Sequence, residues 1–171
     1  TIHGVFYRAG HAVGVIHPTD SLAGVKTYFI PHFAIFDPAW LPALERFVTD
    51  GGTLVIGART GCRDLCSNVV TSTLPGCLRK LVGASVEEFG RQNRPDRRPL
   101  HLNLTGAATD TPTALWYEIL ALDPKSGAET VARWTTRHLS GEPAIVRRPL
   151  GRGQVFYVGT YLTAEFTTAL I

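Results

Sequence analysis

Apolar positions recur at helical spacing in one stretch of the chain and then close up into a short continuous run. In residues 37–64, DPAWLPALERFVTDGGTLVIGARTGCRD, the side chains of Trp40, Leu41, Leu44, Phe47 and Val48 form one stripe at three- and four-residue intervals. Asp37 is placed to accept the first free N–H groups of that helix. Pro38 suits its first position because a missing N–H costs nothing there, and Pro42 still lies close to the N-terminus. Gly51 and Gly52 stop the helix, and residues 53–57, TLVIG, read as a short buried strand.

The same pattern reading extends along the chain. Residues 5–10 suit the last turns of a helix, and residues 12–16 (AVGVI) a buried strand ending at His17 and Pro18. Residues 20–24 make a short connection or helical turn, and residues 26–30 (KTYFI) form the next strand, ending at Pro31 and His32. Strand, helix and strand in alternation, with strands apolar throughout, argue for a parallel sheet covered on both faces, the 37–50 helix being a crossover. Residues 74–83 form a short helix with Leu78, Leu81 and Val82 inward, and residues 84–89 a strand on which Glu87 and Glu88 diverge. Residues 90–99 (GRQNRPDRRP) read as an exposed basic loop. Leu100, Leu102 and Leu104 alternate with polar positions as a half-buried strand. Residues 115–120 and 129–134 are further strands, separated by a turn at 123–127. Residues 144–148 and 154–159 flank Gly151, Arg152 and Gly153 as an antiparallel hairpin, and residues 163–171 suit a terminal helix. The first half is thus α/β and the second half mostly antiparallel.

Composition narrows this picture. A chain of 171 residues, 44% hydrophobic, can bury one good core and is expected to form one domain. A net charge of +3 is too mild to imply nucleic acid or a membrane surface. No apolar run is long enough to span a bilayer, and no signal-peptide pattern opens the chain. It has no methionine and begins at Thr1, so it reads as a piece of a longer polypeptide. Cys62, Cys66 and Cys77 are odd in number and clustered, which speaks against a disulfide framework and for a reducing, cytoplasmic setting.

In order and spacing, several stretches together resemble the middle, trimerisation domain of glycoside hydrolase family 42 β-galactosidases. They are AVGVIHP (12–18), LAGVK (22–26), FVTDGGTLV (47–55), RTG (59–61), PGCLR (75–79), VEEF (86–89), GEPA (141–144), GRG (151–153) and YVGT (157–160). The resemblance implies a flavodoxin-like, three-layer fold related to class I glutamine amidotransferases. It implies a mainly parallel sheet with an antiparallel extension in the second half, the first strand lying before Thr1 so that a central position is empty or otherwise filled. Residues 1–171 would be a single amidotransferase-like trimerisation domain. It would assemble a homotrimer, with a catalytic barrel in cis that hydrolyses terminal β-galactosides.

The residues themselves can be asked what chemistry they carry. A retaining glycosidase needs two carboxyl groups roughly 5 Å apart on a rigid scaffold, and a catalytic barrel takes about 250 residues. Glu87 and Glu88 are neighbours on a strand and the chain is too short, so no catalytic residue is assigned. In amidotransferase-like enzymes a cysteine occupies the sharp turn after the strand equivalent to TLVIG. Here that place falls on Ala58 or Arg59, and Cys62 lies about one turn further on. The strand exits of an open α/β sheet are where ligands bind, and they bring His17, His32, Arg59, Thr60 and Asp64 to one edge. That cluster is either a small polar pocket or contact surface, or a set of strand-exit caps with the histidines packed on Pro18 and Pro31. The alternative function is therefore an amidotransferase-like or small-ligand-binding module at this edge. His17 and His32 have no third ligand placed by the sequence, so neither metal nor cofactor is expected. The arginines of the 90–99 loop lack interleaved aromatics, so no nucleic-acid partner is expected either. Trp116, Tyr117 and Trp134 are core or interface anchors.

Overall fold

The computed structural model describes residues 2–92 and 100–170. Helix α1 (Ile2–Arg8) opens the chain, followed by β1 (Thr27–Ile30). A 3₁₀ turn (Pro38–Trp40) leads into α2 (Leu41–Thr49) and then β2 (Thr53–Gly57). A second 3₁₀ turn (Gly76–Leu78) runs into the single turn α3 (Arg79–Val82), and β3 (Ala84–Arg91) follows. The second half is β4 (His101–Leu104), β5 (Thr111–Pro112), β6 (Trp116–Leu122), β7 (Glu129–Trp134), β8 (Pro143–Leu150), β9 (Gly153–Val158) and α4 (Ala164–Leu170).

The helix predicted after Asp37 forms as its pattern requires. The Asp37 carboxylate accepts the Ala39 N–H at 2.9 Å, so one free donor of the first turn is satisfied. Pro42 sits in the first turn, where no intrahelical N–H is lost. Leu44 and Val48 are fully buried, and Trp40, Leu41 and Phe47 pack at their margins. Burying two such side chains contributes roughly 1.5–3 kcal/mol each.

Seven strands form one sheet in the order β1-β2-β9-β8-β7-β4-β5, and β3 pairs with β6 in a separate antiparallel ribbon. β1, β2 and β9 run parallel, with Ile30 beside Ile56 and Ile56 beside Tyr157. From β9 onward every pairing is antiparallel. The expected mainly parallel sheet is therefore corrected to a mixed one. β9 returns beside β2 while remaining the second arm of the β8–β9 hairpin, and it joins the two halves. The described strands are contiguous, with no open central position, and β1 stands at the edge.

Alternation along the parallel strands feeds two apolar clusters. Tyr28, Ile30, Leu54, Ile56, Val155 and Tyr157 meet α2 and α3 in one. Phe29, Val55, Phe156 and Val158 contribute to the other, with Trp134, Leu139 and Phe166 of α4, while Phe6 of α1 lies 5.1 Å from Phe29. Both faces of the parallel strands are covered.

Three local expectations change. Residues 12–16 are not a strand: they form no hydrogen bond among the described residues, and Val15 is 88% exposed. A strand exists only by pairing, and among the described residues this β-branched run has no neighbour to pair with. Gly90 and Arg91 belong to β3 rather than to a loop, because they pair with Tyr117 and Trp116. The remainder of that loop, residues 93–99, lies outside the described residues. Finally, Glu87 and Glu88 are both exposed, since a register shift between Val86 and Glu88 interrupts the alternation.

Candidate functional site

β1 and β2 end side by side, and so closely that only glycine fits at the end of β2. A Cβ on Gly57 would lie 1.8 Å from the Pro31 carbonyl oxygen. Beyond Gly57 the chain bends sharply, and Arg59 takes the left-handed conformation, with φ of 66°. A non-glycine residue there costs roughly 1–3 kcal/mol and persists only when its surroundings impose it. What imposes it is a carboxylate from the second half of the chain: the Arg59 N–H donates to Glu118 Oε1 at 3.0 Å. Of the two residues the sequence left open for the bend, Arg59 is the one that takes the strained position. Thr60, fully buried, donates from Oγ1 to the Gly57 carbonyl at 2.8 Å and accepts the Phe33 N–H at 3.2 Å. The exit of β1 is thereby tied to the exit of β2.

His32 makes the third tie. Its Nδ1 lies 3.2 Å from the Ala58 carbonyl, and its Nε2 lies 3.2 Å from the Leu162 N–H. The carbonyl can only accept and the amide can only donate, so the proton is on Nδ1 and the ring is neutral. Burial lowers the pKa of His32 below its ordinary 6.5, and the bond to Ala58 opposes that shift. Tyr161 packs on the ring at 4.0 Å. With both nitrogens engaged, the imidazole serves as a staple between strand exits.

Of the five residues read from the strand ends, His32, Arg59 and Thr60 come together. His17 and Asp64 do not join them. His17 is exposed, its Nδ1 2.7 Å from Thr19 Oγ1 and its ring edge-on to Trp40. Asp64 folds its own loop: it accepts the Cys66 N–H at 2.9 Å, the Asn68 N–H at 2.8 Å and Asn68 Nδ2 at 3.2 Å. Those bonds, the Asn68 backbone first, hold its carboxyl below the ordinary range. Cys62 is buried beyond the bend, with its N–H on the Arg59 carbonyl at 3.3 Å. Among the described residues no group of three His, Cys, Asp or Glu side chains could hold a metal ion.

Sequence reasoning missed the residue that organises the site. Glu118 is 1% exposed, in the middle of β6. Its Oε1 accepts from the Arg59 N–H and from Trp116 Nε1, each at 3.0 Å, and its Oε2 accepts from the Tyr157 hydroxyl at 2.8 Å. Its carbonyl accepts from Trp134 Nε1 at 2.9 Å. Burial pushes the Glu118 carboxyl above its ordinary 4.5, against the opposing pull of these donors and of the Arg59 charge. Burial and the neighbouring Glu118 push the Tyr157 phenol well above 10. The signal was present: in WYEIL a lone acid interrupts an otherwise apolar strand, and such an acid is buried only when it is paired.

The Arg59 guanidinium turns outward over the Trp116 ring, 4.5 Å from its centroid, and Phe89 stacks on the same indole at 5.4 Å. Arg59, Arg91, Leu115, Trp116 and Tyr161 line a cleft of about 330 Å³. A cysteine or serine at such a bend can form a covalent acyl intermediate; an arginine side chain does not. The bend thus presents a cation to the cleft, within an α/β domain whose strand exits are tied to one another by hydrogen bonds.

Comparison with known proteins places that domain. The family described as the β-galactosidase trimerisation domain matches residues 2–171, and the chain belongs to it. The chain is 30% identical over 165 residues to a β-galactosidase of Geobacillus sp. (strain Y412MC61), covering 96% of this chain and 24% of that protein. A β-galactosidase of Heyndrickxia coagulans is 28% identical over 170 residues, covering 97% of this chain and 24% of its own length. The solved structure of a polyextremophilic β-galactosidase from the Antarctic haloarchaeon Halorubrum lacusprofundi superposes with a TM-score of 0.83 at 26% identity, over 99% of this chain and 25% of that one. The chain therefore spans about a quarter of the length of the curated relatives it matches.

Proposed function

We propose that this chain is the assembly domain of a larger β-galactosidase, carrying no catalytic residue itself, and that it holds three copies together. A separate barrel in the same polypeptide would hydrolyse terminal β-galactosides. The observation that carries the reading is the family match along residues 2–171, together with the quarter share of β-galactosidase length. The arginine at the bend supports it, since no nucleophile stands where an amidotransferase-like enzyme needs one.

In this reading residues 1–171 are one amidotransferase-like domain with flavodoxin-like layering, working in the cytoplasm. β1, apolar on both faces, has no strand on its outer side among the described residues, and in this reading that edge would be covered within the full assembly. A closed ring of three needs a heterologous contact and so buries two different surfaces. Tyr7 and Val15 in the N-terminal segment, and Leu65 and Val69 beyond the bend, are exposed apolar side chains that such contacts would cover. Among the described residues no helix is long and apolar enough to cross a membrane.

Light scattering on the polypeptide of the full reading frame tests the assembly role. A trimer that becomes a monomer when residues 2–171 are replaced by a short linker is the expected result. A trimer that survives the replacement would overturn the reading.

A further inference from the structure

We propose that the cleft beside the bend is a binding site for a small molecule bearing a carboxylate or phosphate group, gripped by the Arg59 guanidinium. The proposal stands on the cleft alone and does not depend on subunit assembly.

Arg59 is fixed from three directions. Its backbone is held in the left-handed conformation by the bond to Glu118, the strand exit beneath it is locked by Thr60 and His32, and its guanidinium lies on Trp116. Holding a long cation so firmly costs side-chain freedom; among the described residues the Trp116 face offsets part of that cost but supplies no hydrogen-bond acceptor to the guanidinium. The side chain is half-buried, yet among the described residues its guanidinium N–H groups meet no acceptor and none of the ion pairs includes it. Glu118 attracts the guanidinium through its charge, but its carboxylate oxygens accept from the Arg59 backbone, Trp116 and Tyr157. A partly desolvated cation with its fork of donors open is set up for an oxyanion, which a guanidinium binds through two parallel bonds.

The surroundings fit a small ligand with one such group. The cleft, at about 330 Å³, has the size of a small-molecule pocket. Arg91 adds a second cation to its wall, which favours anions over neutral or cationic molecules. Leu115, 48% exposed, and Tyr161 offer apolar surface for the body of the ligand. Trp116 is already stacked against Arg59 and Phe89, so the cleft is not built as a flat platform for an uncharged ring.

Isothermal titration calorimetry with succinate and with inorganic phosphate tests this on the protein and three variants. Arg59→Gly removes the guanidinium while suiting the left-handed bend, Arg91→Gln removes the second cation, and Lys125→Gln removes an exposed charge outside the cleft. Saturable one-to-one binding of at least one anion is expected, and which one saturates separates carboxylate from phosphate. R59G should weaken it by about tenfold or more, R91Q by less, and K125Q not at all. Failure of both anions to saturate, or equal weakening by K125Q and R59G, would overturn the proposal. So would an altered sedimentation coefficient in R59G with neither anion bound, which would make the cleft a subunit contact. The unaltered protein gives a second readout should R59G misfold. Added anion must shift the Arg59 Nε–Hε NMR signal selectively over that of Arg152; no shift, or a uniform one, sinks the idea.

Discussion

Replacing Glu118 tests the account of the bend most directly, because three donors converge on that one buried carboxylate. In Glu118→Ala the Arg59 N–H, the Trp116 indole N–H and the Tyr157 hydroxyl all lose their acceptor. At ~1–3 kcal/mol for each stranded donor the cost lies between about 3 and 9 kcal/mol. The lower part of that range is expected, about 3–5 kcal/mol, because water can reach Arg59 and Trp116 from the cleft. In Glu118→Gln one amide oxygen still serves Arg59 and Trp116, and the Tyr157 hydroxyl can turn to accept from the new NH₂ group. That exchange should cost no more than about 1.5 kcal/mol. The two variants should also differ in their response to pH. The folded-state pKa of Glu118 is raised above its ordinary 4.5, so the folded protein holds this proton more tightly than the unfolded chain does. Its contribution to stability is therefore full below pH 4.5 and is lost as pH rises through the folded-state pKa. The wild type should accordingly lose stability relative to E118Q over that window. Urea unfolding followed by tryptophan fluorescence, from pH 4 to pH 8, measures both effects. A cost below about 1 kcal/mol for E118A, or equal damage from E118A and E118Q, would refute the claim that this carboxylate organises the bend.

Two further outcomes follow from the same geometry. The folded-state pKa of His32 is lowered below 6.5, so its contribution is full above pH 6.5 and falls away as pH drops through the folded value; the stability gap between wild type and His32→Ala should shrink on acidification, as read by melting temperature against pH. Thiol labelling at pH 8 should modify the exposed Cys66 first. Cys77 is exposed as well, but desolvation pushes its thiol up, so it should react more slowly, and the buried Cys62 only on unfolding.

Local chemistry was legible wherever a signal and its cause lie within one helical turn or one strand. The Asp37 cap, the α2 stripe, the glycine stop before β2 and the β8–β9 hairpin all depend on neighbours a few residues apart, and the structure has each of them. Residues 12–16 carry the same apolar, β-branched signal and form no strand, because pairing is not a local property. The antiparallel extension was expected, but the pairing that joins it to the parallel strands was hidden for a similar reason. Nothing in GQVFYV states that β9 will lie parallel to β2 across about a hundred residues.

For the site, the order of strand ends was enough to name His32, Arg59 and Thr60, since each directly follows a strand that the pattern locates. Their roles were not readable, because each is set by a partner remote in sequence: Leu162 for His32, Glu118 for Arg59. His17 and Asp64 were grouped with them by position along the chain, but each finds its hydrogen bonds within its own loop. The amino-acid sequence thus determined which segments could bury an apolar face and which residue types stood at their exits. Only the tertiary structure decided that a buried carboxylate would cross from β6 to hold an arginine in a strained bend. Short-range forces act on the sequence directly, whereas burial of a charge gains its meaning only from the donors that folding brings around it.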